Sequence, residues 1–349
     1  MPTPHTPAAA SSATPSGRRR LRGLLALLAA AVLSLALTAC GSSGSGSGSS
    51  AKSDPAKTIG ISFPNASTAP VIQNMFRLAK IKAKEMGYTL IIDDPGSDEN
   101  QQANTIRTWI QSKKVAAIVC STIDNQSVES VAAQARAAGI KWVTFAASIK
   151  NQDATLGLPH LVAGQTLGKA VGEWINQHLG GKAEVGMLTN SPADWARQRA
   201  EGILSELHKV APGAKVVASQ DALTASDGLA KTGTMLQANP GLDVVLAADD
   251  TPALGAYQAF LNAGHAKNDP KILIGGVNGS ADQLKLVKEG TMLRIEAAFN
   301  QKILGEGFVT LPDRLLHGKK GDLLTTVEPV TYGDPRIDTL LSYYGSSAQ

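Results

Sequence analysis

From residue 57 onward the chain alternates short apolar runs with amphipathic segments of helical period, and this alternation limits the folds open to it. The apolar runs lie at 58–63, 89–93, 115–120, 142–146, 184–188, 215–219, 243–247, 271–277 and 292–297. Most are rich in Val, Ile and Leu with little polar alternation, as expected of strands buried on both faces of a parallel sheet. Between them lie helix-period segments. In 71–86, Ile72, Met75, Phe76, Ala79, Ala83 and Met86 share one stripe, while Lys80, Lys82 and Lys84 face away. Gly87 closes that helix, as Gly139 and Gly264 close later ones. Repeated β-α units of this kind predict an α/β chain with doubly wound parallel sheets. Roughly 290 foldable residues call for two domains. The first series ends near Ala163 and a second begins at 165–179 with no Pro/Ser-rich linker between them, so a hinge of crossing strands is expected.

The N-terminus carries a different signal. The basic cluster Arg18, Arg19, Arg20 and Arg22 precedes an apolar stretch at 24–37, too short to convince as a membrane span, and a small-residue site follows. The stretch LTAC at 37–40 resembles the lipobox of bacterial lipoproteins, which implies a signal peptide over 1–39 and a lipidated Cys40 as the mature N-terminus. Residues 40–56 then read as the lipidated cysteine and a Gly/Ser leash that has no side chains able to bury apolar area. Diacyl-type lipidation supplies the two chains that stable anchoring requires. Arg18-Arg19 leaves twin-arginine and general export both open.

The whole chain has 33 Lys+Arg against 29 Asp+Glu. Residues 1–39 hold four arginines and no acid, so the remainder balances at 29 of each sign. A neutral body offers nothing for a polyanion, and no nucleic-acid partner is expected. Beyond Cys40 only Cys120 remains, which excludes a disulfide framework and a Cys-rich metal site; within its apolar run it reads as core.

In doubly wound sheets ligands gather beyond the carboxyl ends of the strands. Those positions are 62–65 (SFPN), 121–124 (STID), 146–148 (AAS), 190–199, 249–250 (DD) and 278–279 (NG). The set is polar and aromatic, with few groups able to drive chemistry. The chain has no G-x-S-x-G, H-E-x-x-H, Walker loop or strand-linked G-x-G-x-x-G, and His160, His178, His208, His265 and His317 are scattered. No enzyme activity, cofactor or metal is expected.

VVLAADDTPALGA at 244–256, followed by ILIGGVNG at 272–279, resembles the ribose-binding-protein family, the type I periplasmic sugar-binding proteins that serve ABC transporters. ADWARQRAEG at 193–202 is similar to the family's arginine-bearing loop and helix, and KKVAAIVC at 113–120 to its third strand. The resemblance spans nearly all of 57–330. It implies two Rossmann-like lobes that close on a solute, the N-terminal lobe comprising 57–163 with 300–325 and the C-terminal lobe 164–299 with 326–349. Carried over position by position, it implies solute contacts from Ser62 and Asn65 in the first strand-helix loop, from Arg197, from Asp249 and from Asn278. Phe63 and Trp195 are placed to cover an apolar ring face. Hydroxyl-rich solutes suit this set, because hydroxyls both donate and accept.

Each position has an alternative role. Asp250 or Thr251 before Pro252 marks a helix start, which makes Asp250 the expected cap and Asp249 the expected ligand contact. Arg197 and Arg199 both begin a helix, and only the resemblance favours Arg197. Trp195 fits a loop-packing role equally well, Phe63 a core role, and Asn278 before Gly279 a turn.

One departure stands out. Where sugar-binding relatives carry an Asp-Arg pair after the fourth strand, this chain has FAAS at 145–148, and Phe299 stands where the ribose binder has a glutamine. Both changes make the pocket more apolar, pointing to a deoxy, modified or non-sugar solute. The expected protein is an exported, lipid-anchored monomer that binds a sugar or sugar-like small molecule and delivers it to ABC permease subunits. The alternatives are a sensor presenting ligand to a membrane receptor kinase, or a binder of a non-sugar solute. An export signal stands where a LacI-type repressor would carry its DNA-binding helices, which argues against that class.

Overall fold

The computed structural model describes residues 54–67 and 70–345. The expected signal peptide (1–39), Cys40 and all but the end of the Gly/Ser stretch lie outside the described residues.

The first sheet is built from β1 (Thr58–Ser62), β2 (Thr89–Asp93), β3 (Ala117–Cys120), β4 (Lys141–Phe145) and β5 (Ala154–Gly157), with α1 (Pro70–Met86), α2 (Glu99–Gln111) and α3 (Asn125–Ala137) between them. The chain then passes through α4 (His160–His178) into β6 (Lys182–Thr189), β7 (Gly213–Asp221), β8 (Leu242–Ala247), β9 (Leu273–Asn278) and β10 (Leu293–Phe299). These strands are connected by α5 (Asp194–Val210), α6 (Ala225–Ala238), α7 (Asp250–Asn262) and α8 (Ala281–Lys288). It returns to the first sheet with α9 (Gln301–Leu316) and β11 (Leu323–Leu324), and ends in the second with β12 (Val327–Thr331) and α10 (Arg336–Ser342).

The strand orders are β2-β1-β3-β4-β5-β11 and β7-β6-β8-β9-β10-β12. Both are the doubly wound order expected from the alternating pattern. The first sheet is parallel throughout. The second ends in an antiparallel edge, β12 on β10, which the apolar pattern does not reveal. Pro329 and two outward polar positions interrupt its sequence, a composition confined to edges because proline cannot donate to a ladder. β5 and β11 are also absent from the sequence reading; they have only four and two residues.

The predicted stripe of α1 faces inward: Met75, Phe76, Ala79 and Ala83 are buried against the first sheet and α9, with Ile72 and Met86 partly so. Of its three lysines, Lys82 is the exception, half-buried and paired with Glu85 and Glu306. Gly87, Gly139 and Gly264 take φ of 71°, 75° and 91°, the left-handed stop expected at helix ends. Cys120 is fully buried among Ile118, Val128 and Trp142, and burial pushes its thiol far up.

Three segments cross between the sheets, after β5, after β10 and after β11. Thr325 ties them together. Its N–H donates to the Gly157 carbonyl at 3.1 Å, its hydroxyl donates to the Asn300 carbonyl at 3.1 Å, and Asn300 N–H bonds the Thr326 carbonyl at 3.0 Å.

Candidate functional site

In each sheet the strand order reverses between the first and third strands in chain order, β1 and β3 in one and β6 and β8 in the other, and the carboxyl ends there form the natural ligand crevice. On the second sheet this region is built around Arg199. Helix α5 packs on α4 through glycines: a Cβ at Gly164 would collide with the Arg199 carbonyl, and one at Gly202 with that of Leu161. This close crossing buries the face of α5 that carries Ala196, Arg199, Gly202 and Ile203.

Arg199 is 3% exposed. Its Nη1 donates to the Ala248 carbonyl at 2.7 Å, its Nη2 to Asn278 Oδ1 at 2.9 Å, and its Nε to His160 Nδ1 at 3.2 Å. The guanidinium lies 4.9 Å from the Trp195 ring and 5.3 Å from the Phe299 ring, so two aromatic faces hold it in plane. Asn278 passes the connection on, donating from Nδ2 to Asp249 Oδ2 at 2.9 Å. Asp249 Oδ2 is itself 3.8 Å from Arg199 Nη1.

Burial lowers the Arg199 pKa to about 10, against the pull of Asp249, Asp250 and Glu296, so the group stays charged at neutral pH. Burial, then the Arg199 charge, pushes His160 down to about 4. His160 is therefore neutral and free to accept from Arg199. Asn278 holds this position at φ 145°, a conformation that favours glycine.

Several expectations change here. Arg197 lies outside the cluster: its side chain is 53% exposed, donates to the carbonyls of Ser191 and Pro192 and pairs with Asp194 at 2.8 Å. Two residues along a helix turn a side chain by about 200°, so only one of the two arginines can face α4. Asp249, not Asp250, caps α7, its Oδ1 accepting from Thr251 N–H at 3.0 Å. Asp250 is buried one position further in.

The first sheet presents a different surface. Phe63 is buried in a quartet with Phe76, Phe145 and Phe308, at ring separations of 5.5, 5.1 and 6.1 Å; its core role wins. Ser62 is fully buried, with its hydroxyl donating to Asp93 Oδ2 at 3.0 Å and accepting from Gln102 Nε2 at 3.2 Å. Gln102 also binds the Ser121 carbonyl and the Ile123 N–H, joining the ends of β1 and β3. Asn65 stands exposed at φ 57° in a turn that Asp94 pins by accepting from the N–H and hydroxyl of Ser67. Those bonds hold Asp94 below the usual carboxylate range.

A cavity of about 680 Å³ opens between α1, which contributes Gln73, Asn74 and Arg77, and the starts of α7 and α8, which contribute Asp249, Thr251 and Ser280. Among the residues expected from the sequence, Asp249 and Asn278 line it; Arg199 supports both from behind. Asn74 and Arg77 escaped the sequence reading, whereas Arg199 was weighed there beside Arg197 and set aside on the resemblance. For Arg199 the signal was present, in its helical phase with Ala196, Gly202 and Ile203.

Compared with known families, residues 59–320 match the periplasmic binding protein domain. The chain belongs to the type I periplasmic sugar-binding protein family. The ribose import binding protein RbsB of Bacillus subtilis (strain 168) is 28% identical over 291 residues, covering 81% of this chain and 90% of that one. The Haemophilus influenzae ribose import binding protein is 30% identical over 250 residues, 69% of this chain and 80% of its own. Among solved structures, a periplasmic solute-binding protein from Actinobacillus succinogenes 130z with bound D-allose superposes with a TM-score of 0.70 at 23% identity, covering 81% of this chain and 99% of that one. As a member of this family of solute-binding transport components, the chain is not an enzyme. Among the described residues no helix is long and apolar enough to cross a membrane.

Proposed function

We propose that this chain is a lipid-anchored, extracytoplasmic receptor that captures a sugar or sugar-like solute between two lobes and hands it to ABC permease subunits. The observation that carries the reading is the Arg199–Asn278–Asp249 network at the strand ends of the second sheet, with Asp249 and Asn278 lining the cavity. A carboxylate and an amide side by side, oriented from behind by a buried guanidinium, offer acceptors and donors to vicinal hydroxyls. The matched relatives' sugars support the class of solute.

The lobes are read as 57–163 with 300–325 and 164–299 with 326–349, the first boundary falling within the opening turn of α4. The protein acts as a monomer, with Cys40 as its anchor. On the first sheet, Ala146 and Ala147 offer methyl groups where the family resemblance implies a charged pair, and this favours a solute with one apolar edge, such as a deoxy sugar, over a fully hydroxylated aldopentose. The test is to identify what co-purifies with the mature protein, then to screen a panel of pentoses, hexoses, deoxy sugars and polyols by thermal shift and solution scattering. A solute that raises the melting temperature and compacts the protein without being consumed supports the reading. Turnover of that solute by the purified protein overturns it.

A further inference from the structure

Behind Asn278 lies a pair of carboxyl groups, Asp250, which also lines the cavity, and Glu296. Glu296 on β10 stands in register with Gly276 on β9. A Cβ added at Gly276 would sit 2.9 Å from Glu296 Oε2, 3.3 Å from Asp250 Oδ1 and 3.3 Å from Gln283 Nε2. The glycine thus leaves the space in which two acids from different elements meet. Both acids are buried, Glu296 completely.

Each spends one oxygen on the turn that follows β9. Glu296 Oε1 accepts from Gly279 N–H at 2.8 Å, and Asp250 Oδ2 accepts from Ser280 N–H at 2.7 Å. The other two oxygens, Asp250 Oδ1 and Glu296 Oε2, lie against the same Gly276 vacancy, and neither has another hydrogen-bond partner. Two buried carboxylates cannot both stay charged at such proximity, because desolvation and repulsion add.

We propose that Asp250 and Glu296 share one proton, and that the resulting acid–carboxylate pair is a positioning device for the Asn278–Ser280 turn. The shared proton supplies the hydrogen bond that both oxygens lack, and the remaining negative charge faces the Gly279 and Ser280 amides. The surrounding charges agree with a single negative charge on the pair. Arg199 on α5 faces it from one side and Asp249 at the cap of α7 from another. Tyr344 after α10, whose hydroxyl donates to the Gly279 carbonyl at 2.6 Å, also faces the pair, and Asp282 on α8 faces Tyr344 in turn. Burial raises both carboxyls, and the neighbouring Asp250 charge raises Glu296 further. The consequence for solute binding rests on the reading of Asn278 given above; the shared proton does not.

The pair's proton affinity in the fold exceeds that of free carboxyls in the unfolded chain. Its contribution to stability is therefore fully present below the ordinary glutamate value of 4.5 and is lost as pH rises towards the folded pKa.

Infrared spectroscopy of the full-length protein at pH 7, without solute, tests the assignment. The protonated-carboxyl band is expected in the wild type and expected to vanish in Glu296→Gln, whose amide replaces the acid and leaves Asp250 charged. Asp250→Asn, which leaves the wholly buried Glu296 without its carboxylate partner, should shift that band and serves as the second variant if the first fails to fold. Amide resonances of Gly279 and Ser280 are expected to shift together in each folded variant. A wild type with no such band, or a band unchanged in a folded variant, overturns the proposal. If the band behaves as expected but no solute binds, the shared proton stands and the binding reading falls.

Discussion

The two walls of the cleft are built from opposite materials. The wall on the second sheet is a hydrogen-bonded chain from His160 through Arg199 and Asn278 to Asp249, with charges held in place by aromatic rings. The wall on the first sheet is an aromatic quartet behind small residues, and its polar groups, Ser62, Asp93 and Gln102, satisfy one another. On the proposed reading a solute meets directed donors and acceptors on one side. On the other, Gln73, Asn74 and Arg77 of α1 also line the cavity, but Gln73 already bonds Ser67 and Arg77 bonds Asn74 and Tyr343. Affinity should therefore reside largely in the second wall, and the first should contribute closure.

Arg199→Ala strikes at the centre of this asymmetry. It is expected to weaken solute binding by about 2–5 kcal/mol, as for truncation of a buried, hydrogen-bonded charge, whereas Arg197→Ala stays within about 0.5 kcal/mol as a surface change. Calorimetry with a solute that raises the melting temperature compares the two; equal losses would return the site to the exposed arginine. Asp249 ranks next. Asp249→Ala should cost about 2 kcal/mol of affinity and about 1 kcal/mol of stability through the lost cap. Asp249→Asn keeps the Oδ1 cap but turns an amide donor toward Asn278 Nδ2, so its affinity should drop while its melting temperature falls less than that of Asp249→Ala.

His160 tests the network from its far end. Its folded pKa, about 4, lies below the ordinary 6.5, so its contribution to stability is present above 6.5 and is lost as pH falls towards 4. His160→Gln retains an acceptor for Arg199 at every pH, and its melting temperature should vary less across that window. An unchanged slope would place the titration elsewhere. The smallest effect belongs to the first wall. Ala146 sits at φ 54°, and Ala146→Gly should raise stability by roughly 0.5–1 kcal/mol by relieving a left-handed alanine. Thermal unfolding measures the gain. Solute affinity should fall by no more than about 0.8 kcal/mol, the value of one methyl contact, and a larger drop would narrow the difference between the walls.

Most of the architecture could be read without coordinates, because strands covered on both faces and helices covered on one leave local traces. The nine apolar runs all became strands, and the strand-end rule located Asp249 and Asn278. The short or edge elements β5, β11 and β12 left no such trace, since a four-residue strand or a proline-bearing edge need not be uniformly apolar.

What the sequence determined alone was the class of fold, the helix stops at Gly87, Gly139 and Gly264, and a core place for Cys120. The tertiary structure decided which arginine turns inward, that Phe63 is core, that Asp249 both caps and faces the cavity, and that Glu296 meets Asp250. Secondary structure follows from neighbours a few residues apart, whereas the partners of Arg199 lie 39, 49 and 79 positions away along the chain, and only the packing of α4, β8 and β9 brings them within hydrogen-bond reach.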